Sequence, residues 1–190
     1  MKNPNVSKDE HAKAQFFIGY YFYFGVGLNK NYSKAVHFFK KSAKNNNAMA
    51  QCYLGHAYFH GNGVKKSFAT AIKWFSMSNN AVSNRHLGII HYHAFGVKQD
   101  RKKAFEYYQT ASELGDSEAM CRLAEVYRYG IGTRKNYQKA YQWFLVANPD
   151  VSKHWGLCPE LCEYFEHYLT AKQIRDAKIW VRNWKPIAEA

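Results

Sequence analysis

The stretch from Ala50 to Ser78 decides the fold of this chain and reads AQCYLGHAYFHGNGVKKSFATAIKWFSMS. It contains two helical patterns joined by a Gly-x-Gly turn. The same arrangement recurs in residues 14–42, 83–111 and 119–147, so that successive copies are 36, 33 and 36 residues apart. A period of this size indicates an array of helical repeats, in which each repeat buries its apolar face against its neighbours.

The first helix of the repeat has one apolar face, formed by Ala50, Leu54, Ala57 and Tyr58 at i, i+4, i+7 and i+8. Gly55 interrupts this helix, although glycine costs about 1 kcal/mol relative to alanine there. We therefore expect the second helix to approach closely at Gly55. The same place is held in the other copies by Gly19, Gly88 and Ala124.

The turn Gly61-Asn62-Gly63 ends the first helix, since glycine reaches a positive φ without a side-chain clash. Its counterparts are Gly25-Val26-Gly27, Ala94-Phe95-Gly96 and Gly130-Ile131-Gly132. The second helix needs an N-cap, and suitable side chains occupy equivalent positions in all four copies. They are Asn31, Ser67, Asp100 and Asn136.

The second helix carries Ala71, Trp74 and Phe75 at i, i+3 and i+4. Alanine allows helices to approach, and the two rings can fill the space between repeats. An aromatic stripe at helical spacing is typical of a core rather than of a cofactor site, so we predict no cofactor. The corresponding triplets are Ala35 with Phe38 and Phe39, Ala104 with Tyr107 and Tyr108, and Ala140 with Trp143 and Phe144.

The combined pattern resembles the Sel-one-like repeat (SLR) family, a shorter-period relative of the tetratricopeptide repeats. The matching features are Leu-Gly-x-x-Tyr-x-x-Gly-x-Gly-Val from Leu54 to Val64, followed by Ala71 and a Trp-Phe pair. The resemblance covers residues 12–148 as four copies. It implies an all-α fold, a right-handed superhelical solenoid of paired helices that binds other proteins on its concave face.

Three departures from the family pattern fall in or near the third copy. Ala94 stands in place of a glycine, His91 replaces the usual tyrosine, and the link before this copy is three residues shorter. These departures predict a locally altered turn rather than a different fold.

We expect a single domain with three parts. Residues 1–11 form a polar N-terminal tail, residues 12–148 the four repeats, and residues 149–190 C-terminal capping helices. A solenoid needs such a cap because its last apolar face would otherwise be bare. The family resemblance also extends to the closing helix, at Leu169 to Ala177.

The capping helices are predicted at Pro159 to Tyr168 and Ala171 to Trp184. Thr170 and Gln173 have the spacing of a capping box at the start of the second one. Leu161, Phe165 and Tyr168 are expected to pack on Trp143 and Phe144. In the last helix, the residues predicted to face the core are Ile174, Ala177, Val181 and Trp184.

The composition favours a cytoplasmic protein that does not cross a membrane. No run of 18 apolar residues occurs, and the N-terminus does not have the pattern of a secretory signal. Cys52 and Cys121 hold equivalent positions in copies two apart, too distant to pair. Cys158 and Cys162 are four residues apart, and structural thiols are favoured over a zinc site there. We predict no metal site at His56 and His60 either, because no acidic residue lies between them.

The net charge of +13 is uneven along the chain. Residues 1–99 contain 13 Lys and Arg against two acidic residues, whereas residues 100–190 contain 14 against 12. A basic half could steer an acidic partner toward the chain. Alternatively, the charge only maintains solubility.

The binding face is predicted at the positions two, six, nine and ten residues after the opening alanine of each copy, because these lie on one helical stripe. The alternative is that a small solenoid buries part of this stripe in itself. The candidate protein-binding residues, called the stripe below, are Tyr20, Tyr23, Phe24, His56, Phe59, His60, Arg85, Tyr92, His93, Arg128 and Tyr129. The same spacing also includes Phe16, Cys52, Ile89, Cys121 and Glu125.

Three functions compete. The first is a protein-interaction module. One specific form is an immunity protein that neutralises a secreted toxin, which the resemblance allows because small SLR proteins can play that role. The second is a hydrolase of the β-lactamase type, disfavoured because Ser-x-x-Lys and Gly-x-Ser-x-Gly motifs are absent. The third is nucleic-acid binding, disfavoured because lysines such as Lys40, Lys41 and Lys65 lie away from the aromatic stripe.

Overall fold

The computed structural model describes residues 7–147 and 159–187, which form ten α-helices and contain no strand. The expected all-α fold class is confirmed. The helices are α1 (Lys8–Phe24), α2 (Tyr32–Ala43), α3 (Ala48–His60), α4 (Phe68–Ser78), α5 (Ala81–His93), α6 (Arg101–Glu113), α7 (Ser117–Tyr129), α8 (Tyr137–Ala147), α9 (Pro159–Tyr168) and α10 (Ala171–Asn183).

The four predicted N-caps are confirmed. In each, a side-chain oxygen accepts a hydrogen bond from the backbone N–H three residues later, as from Lys34 to Asn31 at 2.9 Å. Thr170 and Gln173 form the predicted capping box of α10. A further capping box joins Ser7 to Glu10 and starts α1 at Lys8. The helix therefore takes in residues 8–11, which the sequence pattern places in the polar tail.

The turns that end the first helices share one backbone conformation. Gly25, Gly61 and Gly130 have φ values of 76°, 83° and 71°. Ala94 reaches the same left-handed region with φ 60°. The expectation of an altered turn in the third copy is therefore wrong: the turn is retained, with an alanine in a conformation that L side chains rarely adopt.

The glycines inside the first helices are required by close helix packing, as expected. A Cβ atom added to Gly55 would lie 2.5 Å from the ring of Phe75. At Gly88 it would lie 2.6 Å from the ring of Tyr108. These aromatic residues of the second helices therefore lie against the backbone of the first helices.

The chain divides into two compact units, one ending at Ser83 and the other beginning at Asn84. In unit 1, α2 packs against α1 and α3, and α4 packs against α3. The core of unit 1 consists of Phe16, Ala35, Val36, Phe39, Ala43, Ala50, Leu54 and Ala57. These are mainly the small and aromatic residues that define the repeat.

In unit 2, α7 packs between α6 and α8, and both α9 and α10 pack on α8. Phe165 of α9 is buried against Phe144, as predicted. Tyr168 is instead 50% exposed and stacks on Tyr137. The predicted contact of Tyr168 with Trp143 and Phe144 is therefore wrong, and the side chain of Leu161 lies outside the described residues.

Helix α10 covers the last apolar face of unit 2. Its Trp180 and the following Trp184 pack edge-on against Trp143, with ring centroids 5.4 and 5.9 Å apart. Ala177 is fully buried, and Ile174 packs against the same core. Three of the four predicted core residues, Ile174, Ala177 and Trp184, thus belong to this core, whereas Val181 does not and Trp180 was not predicted. The helix ends at Asn183 rather than Trp184.

Candidate functional site

The stripe keeps access to solvent in both units. None of its eleven residues is buried, and Phe24 and Tyr129 are 45% and 60% exposed. Of the other positions with the same spacing, Phe16 and Cys52 are buried. The signature residues Ala50, Leu54 and Ala57 of α3, by contrast, are fully buried. Helices α3, α5 and α7 thus have one largely buried face and one accessible face, whereas in α1 the equivalent positions Ile18 and Tyr21 are 40% and 43% exposed.

In unit 1 the stripe forms a continuous aromatic surface. The rings of Tyr20 and Phe24 are 4.6 Å apart, and those of Tyr23 and Phe24 are 5.1 Å apart. The hydroxyl of Tyr23 accepts a 2.9 Å hydrogen bond from the side chain of Asn62, which fixes the ring beside the turn after α3. Burial raises the pKa of Tyr23 above its ordinary value of 10.0, so the hydroxyl stays neutral.

The histidine part of the unit 1 stripe lies on α3. His56 and His60 stack with centroids 6.0 Å apart, and Phe59 contacts His60 at 4.9 Å. Burial, together with the charge of Lys66, lowers the pKa of His60 below 6.5. This histidine is therefore mostly neutral at pH 7.

Tyr53 is central to this surface, although the stripe spacing misses it. Its ring lies 5.3 to 6.1 Å from six other rings. Burial raises its pKa to about 12. These neighbours, which enclose the ring between α1 and α3, are Phe16, Tyr20, Tyr23, Phe24, Phe39 and His56.

Unit 2 has an open cavity of about 290 Å³ along its stripe. Of the stripe residues, Tyr92 and His93 contribute to it, whereas Tyr108 and Arg122 belong to positions that the stripe spacing does not include. Its lining consists of Ile89, Tyr92, His93, Tyr108, Arg122, Glu125, Val126 and Ile131. Its walls combine apolar side chains with polar groups, among them His93, Arg122 and Glu125.

Arg85 differs from the other stripe residues because its guanidinium is already paired. Its Nε lies 3.0 Å from the carboxylate of Asp116, and its Nη1 lies 2.9 Å from that of Glu118. The side chains of Arg85 and Asp116 are only 14% and 8% exposed. Asp116 also caps α7 through the N–H of Ala119. Arg85 thus ties α5 to the start of α7, and its place in the stripe stays a prediction.

Arg128 packs among tyrosines at the end of α7. Its guanidinium carbon lies 3.9 Å from the ring centroid of Tyr164 and 5.0 Å from that of Tyr129. A hydrogen bond with Arg128 lowers the pKa of Tyr164. The Nε atom of Arg128 is buried and has no hydrogen-bond partner among the described residues. The arginine therefore retains unused donor capacity beside an exposed tyrosine.

Comparison with known proteins settles the family. A family model described as Sel1 repeat matches residues 12–47, 48–83, 81–116 and 117–147, which together make up more than half of the chain. The chain belongs to the Sel1 repeat family. The four copies read from the sequence are confirmed, and Sel1 repeats generally serve as protein-interaction modules.

One curated relative of this Sel1 repeat chain is a Sel1-like repeat-containing protein of Schizosaccharomyces pombe. The two are 43% identical over 56 residues, which represent 30% of this chain and 8% of the relative. The chain therefore corresponds to only a small part of that relative's length.

Two solved structures are similar to the chain. One is a Sel1 repeat protein from Oxalobacter formigenes, with 29% identity and a TM-score of 0.65 over 75% of this chain and 60% of that chain. The other is c5321, a protective antigen present in uropathogenic Escherichia coli strains that displays an SLR fold. It is 27% identical, with a TM-score of 0.52 over 90% of this chain and 44% of that chain.

The charge of this Sel1 repeat chain is most one-sided between residues 11 and 99, which contain eleven Lys or Arg and no Asp or Glu. The lysines lie outside the stripe, as the sequence indicates, but they do not lie apart from all aromatic rings. Lys34 lies 5.3 Å from the ring centroid of Phe22, and Lys41 lies 5.6 Å from that of Phe38. Charge and aromatic rings therefore meet on a second surface of unit 1.

No group of three or more His, Cys, Asp and Glu residues lies close enough to hold a metal ion within residues 7–147 and 159–187. Cys52 is buried and Cys121 half-buried. Cys158 and the side chain of Cys162 lie outside the described residues. In the same part of the chain, no helix has the length and apolar character that a membrane crossing requires.

Proposed function

We propose that this Sel1 repeat chain is a protein-interaction module whose stripe binds an acidic partner protein or peptide. The observation that carries the proposal is the contrast between the two faces of α3, α5 and α7. In α7, for example, Leu123 is fully buried, whereas Tyr129 is 60% exposed. Accessible Tyr, Phe and Arg side chains are the residue types that contribute most to binding energy at protein interfaces.

The acidic character of the partner follows from the charge of residues 11–99. Because this segment has no carboxylate of its own, most of its lysines have no acidic neighbour along the chain. An acidic partner would supply that charge and would be steered toward unit 1 over a distance of about 10 Å at 0.1 M salt. The aromatic stripe would then provide the apolar contacts.

An immunity protein that neutralises a secreted toxin is one specific form of this proposal. Such a protein acts by covering its partner's functional surface, so it needs a binding face and no catalytic residues. The proposal accordingly assigns no catalytic role to any residue of the chain.

Selection of binding peptides from a displayed random library tests the proposal without a known partner. We expect the enriched peptides to contain aromatic residues beside Asp or Glu. Phe24→Ala should weaken their binding at least about tenfold, which is the loss of one hot-spot side chain. Phe17→Ala is the matched control, because Phe17 lies on the same helix, is 53% exposed and is not on the stripe.

The salt dependence separates the two parts of the proposal. Affinity should fall between about 0.05 and 0.5 M salt, because surface charges are screened over this range. Equal losses for Phe24→Ala and Phe17→Ala would contradict the stripe. Binding that does not respond to salt would contradict the acidic partner.

A second candidate is single-stranded RNA binding on the other surface of unit 1, which is favoured by the lysines above Phe22 and Phe38. Bases can stack on aromatic rings while lysines contact phosphates. A gel shift with single-stranded RNA at about 0.15 M salt tests it. Retardation that Lys34→Gln with Lys41→Gln abolishes would support RNA binding, and the lack of any shift would dismiss it.

A further inference from the structure

The two units can be compared position by position, because the repeats of unit 2 follow those of unit 1 by 69 residues. Tyr23 of α1 corresponds to Tyr92 of α5, and Phe39 of α2 corresponds to Tyr108 of α6. Tyr53 of α3 corresponds to Arg122 of α7. The space between the two first helices of each unit is thus bounded by equivalent residues, with one decisive exchange.

In unit 1 this space is filled from within by Tyr53. Its ring lies 5.7 Å from Tyr23, 5.3 Å from Phe39 and 5.6 Å from Phe16. Its contacts with Tyr20, Tyr23 and Phe24 are edge-on, which is a favoured geometry for aromatic pairs. The repeat architecture therefore accommodates a tyrosine side chain at this place.

In unit 2 the corresponding residue does not fill the space. The side chain of Arg122 is 46% exposed, and its Nη1 lies 3.5 Å from the carboxylate of Glu125. The cavity of about 290 Å³ lies where unit 1 holds its tyrosine ring, and it is bounded by Tyr92 and Tyr108. Apolar side chains of Ile89, Val126 and Ile131 complete its walls.

We propose that this cavity binds an aromatic side chain of the partner, seated between α5 and α7 as Tyr53 is seated between α1 and α3. The inference rests on the proposed function, since it assumes a polypeptide partner. The ring would contact Tyr92 and Tyr108 and displace water from three aliphatic side chains. Arg122 and Glu125 lie at the rim, where they could contact the partner's backbone or polar groups.

The cavity differs from the equivalent space of unit 1 in its polar groups, which include His93 in place of Phe24 and Glu125 in place of His56. Tyr108 brings a hydroxyl where Phe39, Phe75 and Phe144 have none, and burial raises the pKa of Tyr108, so the hydroxyl is neutral. Arg122 adds a guanidinium. A buried aromatic ring that carries a hydroxyl of its own would match both groups, so tyrosine is the preferred occupant.

Methyl NMR spectra of the full chain titrated with p-cresol, the tyrosine side-chain analogue, test the inference directly. Saturable shifts are expected for the methyl groups of Ile89, Val126 and Ile131. The methyl groups of Val36 and Leu54 in unit 1 should not shift. We expect 3-methyl-1-butanol, an aliphatic control, to bind at least about fivefold more weakly, since ring–ring contacts contribute beyond the buried area.

Filling the cavity provides the decisive variant. Arg122→Tyr recreates unit 1 and should weaken p-cresol binding at least about tenfold. Ile131→Trp fills the same space from the turn and serves where Arg122→Tyr does not fold. Arg122→Gln removes the guanidinium without filling the cavity, so it should weaken p-cresol binding less than Arg122→Tyr does.

The results distinguish this inference from the proposed function. Unchanged p-cresol binding in the filled variants, or no saturable shift in the natural chain, would overturn the cavity assignment. Selected peptides that bind Arg122→Tyr as well as the natural chain would overturn it too, while leaving the interaction module intact. Binding of p-cresol without any selectable peptide would support the cavity and contradict the interaction module.

Discussion

Unit 1 and unit 2 share one repeat architecture but hold their first helices together by different means. In unit 1, Phe16 and Tyr53 pack ring against ring between α1 and α3. In unit 2 both positions are arginines, Arg85 and Arg122, and Arg85 is bound by Asp116. Aromatic packing fills space, whereas an ion pair leaves space unfilled. The comparison shows how one backbone can hold a filled space in one unit and an open cavity in the other.

At a second pair of positions, too, unit 1 has two apolar rings where unit 2 has more polar ones. Phe22 stacks on Phe38 in unit 1, with centroids 6.0 Å apart. At the equivalent place in unit 2, His91 stacks on Tyr107 at 5.5 Å. The phenyl ring of Phe22, which has no titratable group, is thus replaced in unit 2 by the imidazole of His91, a side-chain type whose charge can change near neutral pH.

The largest expected effect comes from removing the tyrosine that fills unit 1. Tyr53→Ala should lower the free energy of unfolding by about 3 kcal/mol, because a large ring is lost from a packed site. Arg122→Ala, the matched change in unit 2, should lower it by less than about 0.5 kcal/mol, since the side chain is half-exposed. Urea denaturation of both variants measures the difference, and equal losses would break the comparison.

The ion pair of unit 2 should give the next largest effect. Asp116→Asn keeps the cap of α7 but removes the charge that faces Arg85. The free energy of unfolding should therefore fall by about 2 kcal/mol. This loss is smaller than that for a fully broken ion pair, because Glu118 still pairs with Arg85. Asn47 holds the equivalent cap in unit 1. Asn47→Asp should change stability by less than about 0.5 kcal/mol, as both residue types cap well. Thermal and urea unfolding would show whether only unit 2 depends on the carboxylate.

The turns should respond in opposite directions to exchanges between the units. Gly25→Ala introduces a side chain at a positive φ and should cost about 1 kcal/mol. Ala94→Gly relieves the same strain in unit 2 and should gain about 0.5 kcal/mol, because the added freedom of the unfolded chain offsets part of the relief. A stabilising Gly25→Ala would show that the turn tolerates alanine without strain.

The smallest effect concerns pH. Burial, and then the charge of Lys103, lowers the pKa of His91 in the folded state below its ordinary value of 6.5. Below pH 6.5 the unfolded chain therefore binds a proton before the folded chain does, and the free energy of unfolding falls as the pH decreases.

His91→Phe, which copies Phe22, should reduce this fall in stability. The fall should not vanish, because the pKa of His60 is lowered as well. Urea midpoints measured at pH 7.5 and at about 5.5 test this. The same pH dependence in His91→Phe and the natural chain would show that His91 does not contribute.

The features that could be predicted from the sequence are those set by neighbouring residues. Asn31 caps α2 by accepting a hydrogen bond from the N–H three residues later, and Gly55 packs against Phe75 of the same helix hairpin. Both depend on local spacing that the repeat fixes. The burial of Ala177 follows in the same way from the spacing of one helix.

The features that could not be predicted depend on how helices of different repeats face each other. Arg85 and Asp116 are 31 residues apart, and nothing in their spacing indicates a contact. The role of Tyr53 was also missed, because its position lies just outside the stripe. The cavity could not be predicted either. It lies where Arg122 replaces that tyrosine, and no pattern in the sequence indicates that the arginine side chain leaves the space unfilled.

Hydroxyl-radical footprinting of the chain, alone and bound to a peptide selected for binding, tests the central claim most directly. The account predicts protection of Phe24, His60 and Tyr92 on the stripe, with no change at Phe17 and Met77, which are exposed elsewhere. Protection of Phe17 or Met77 with an unchanged stripe would contradict it.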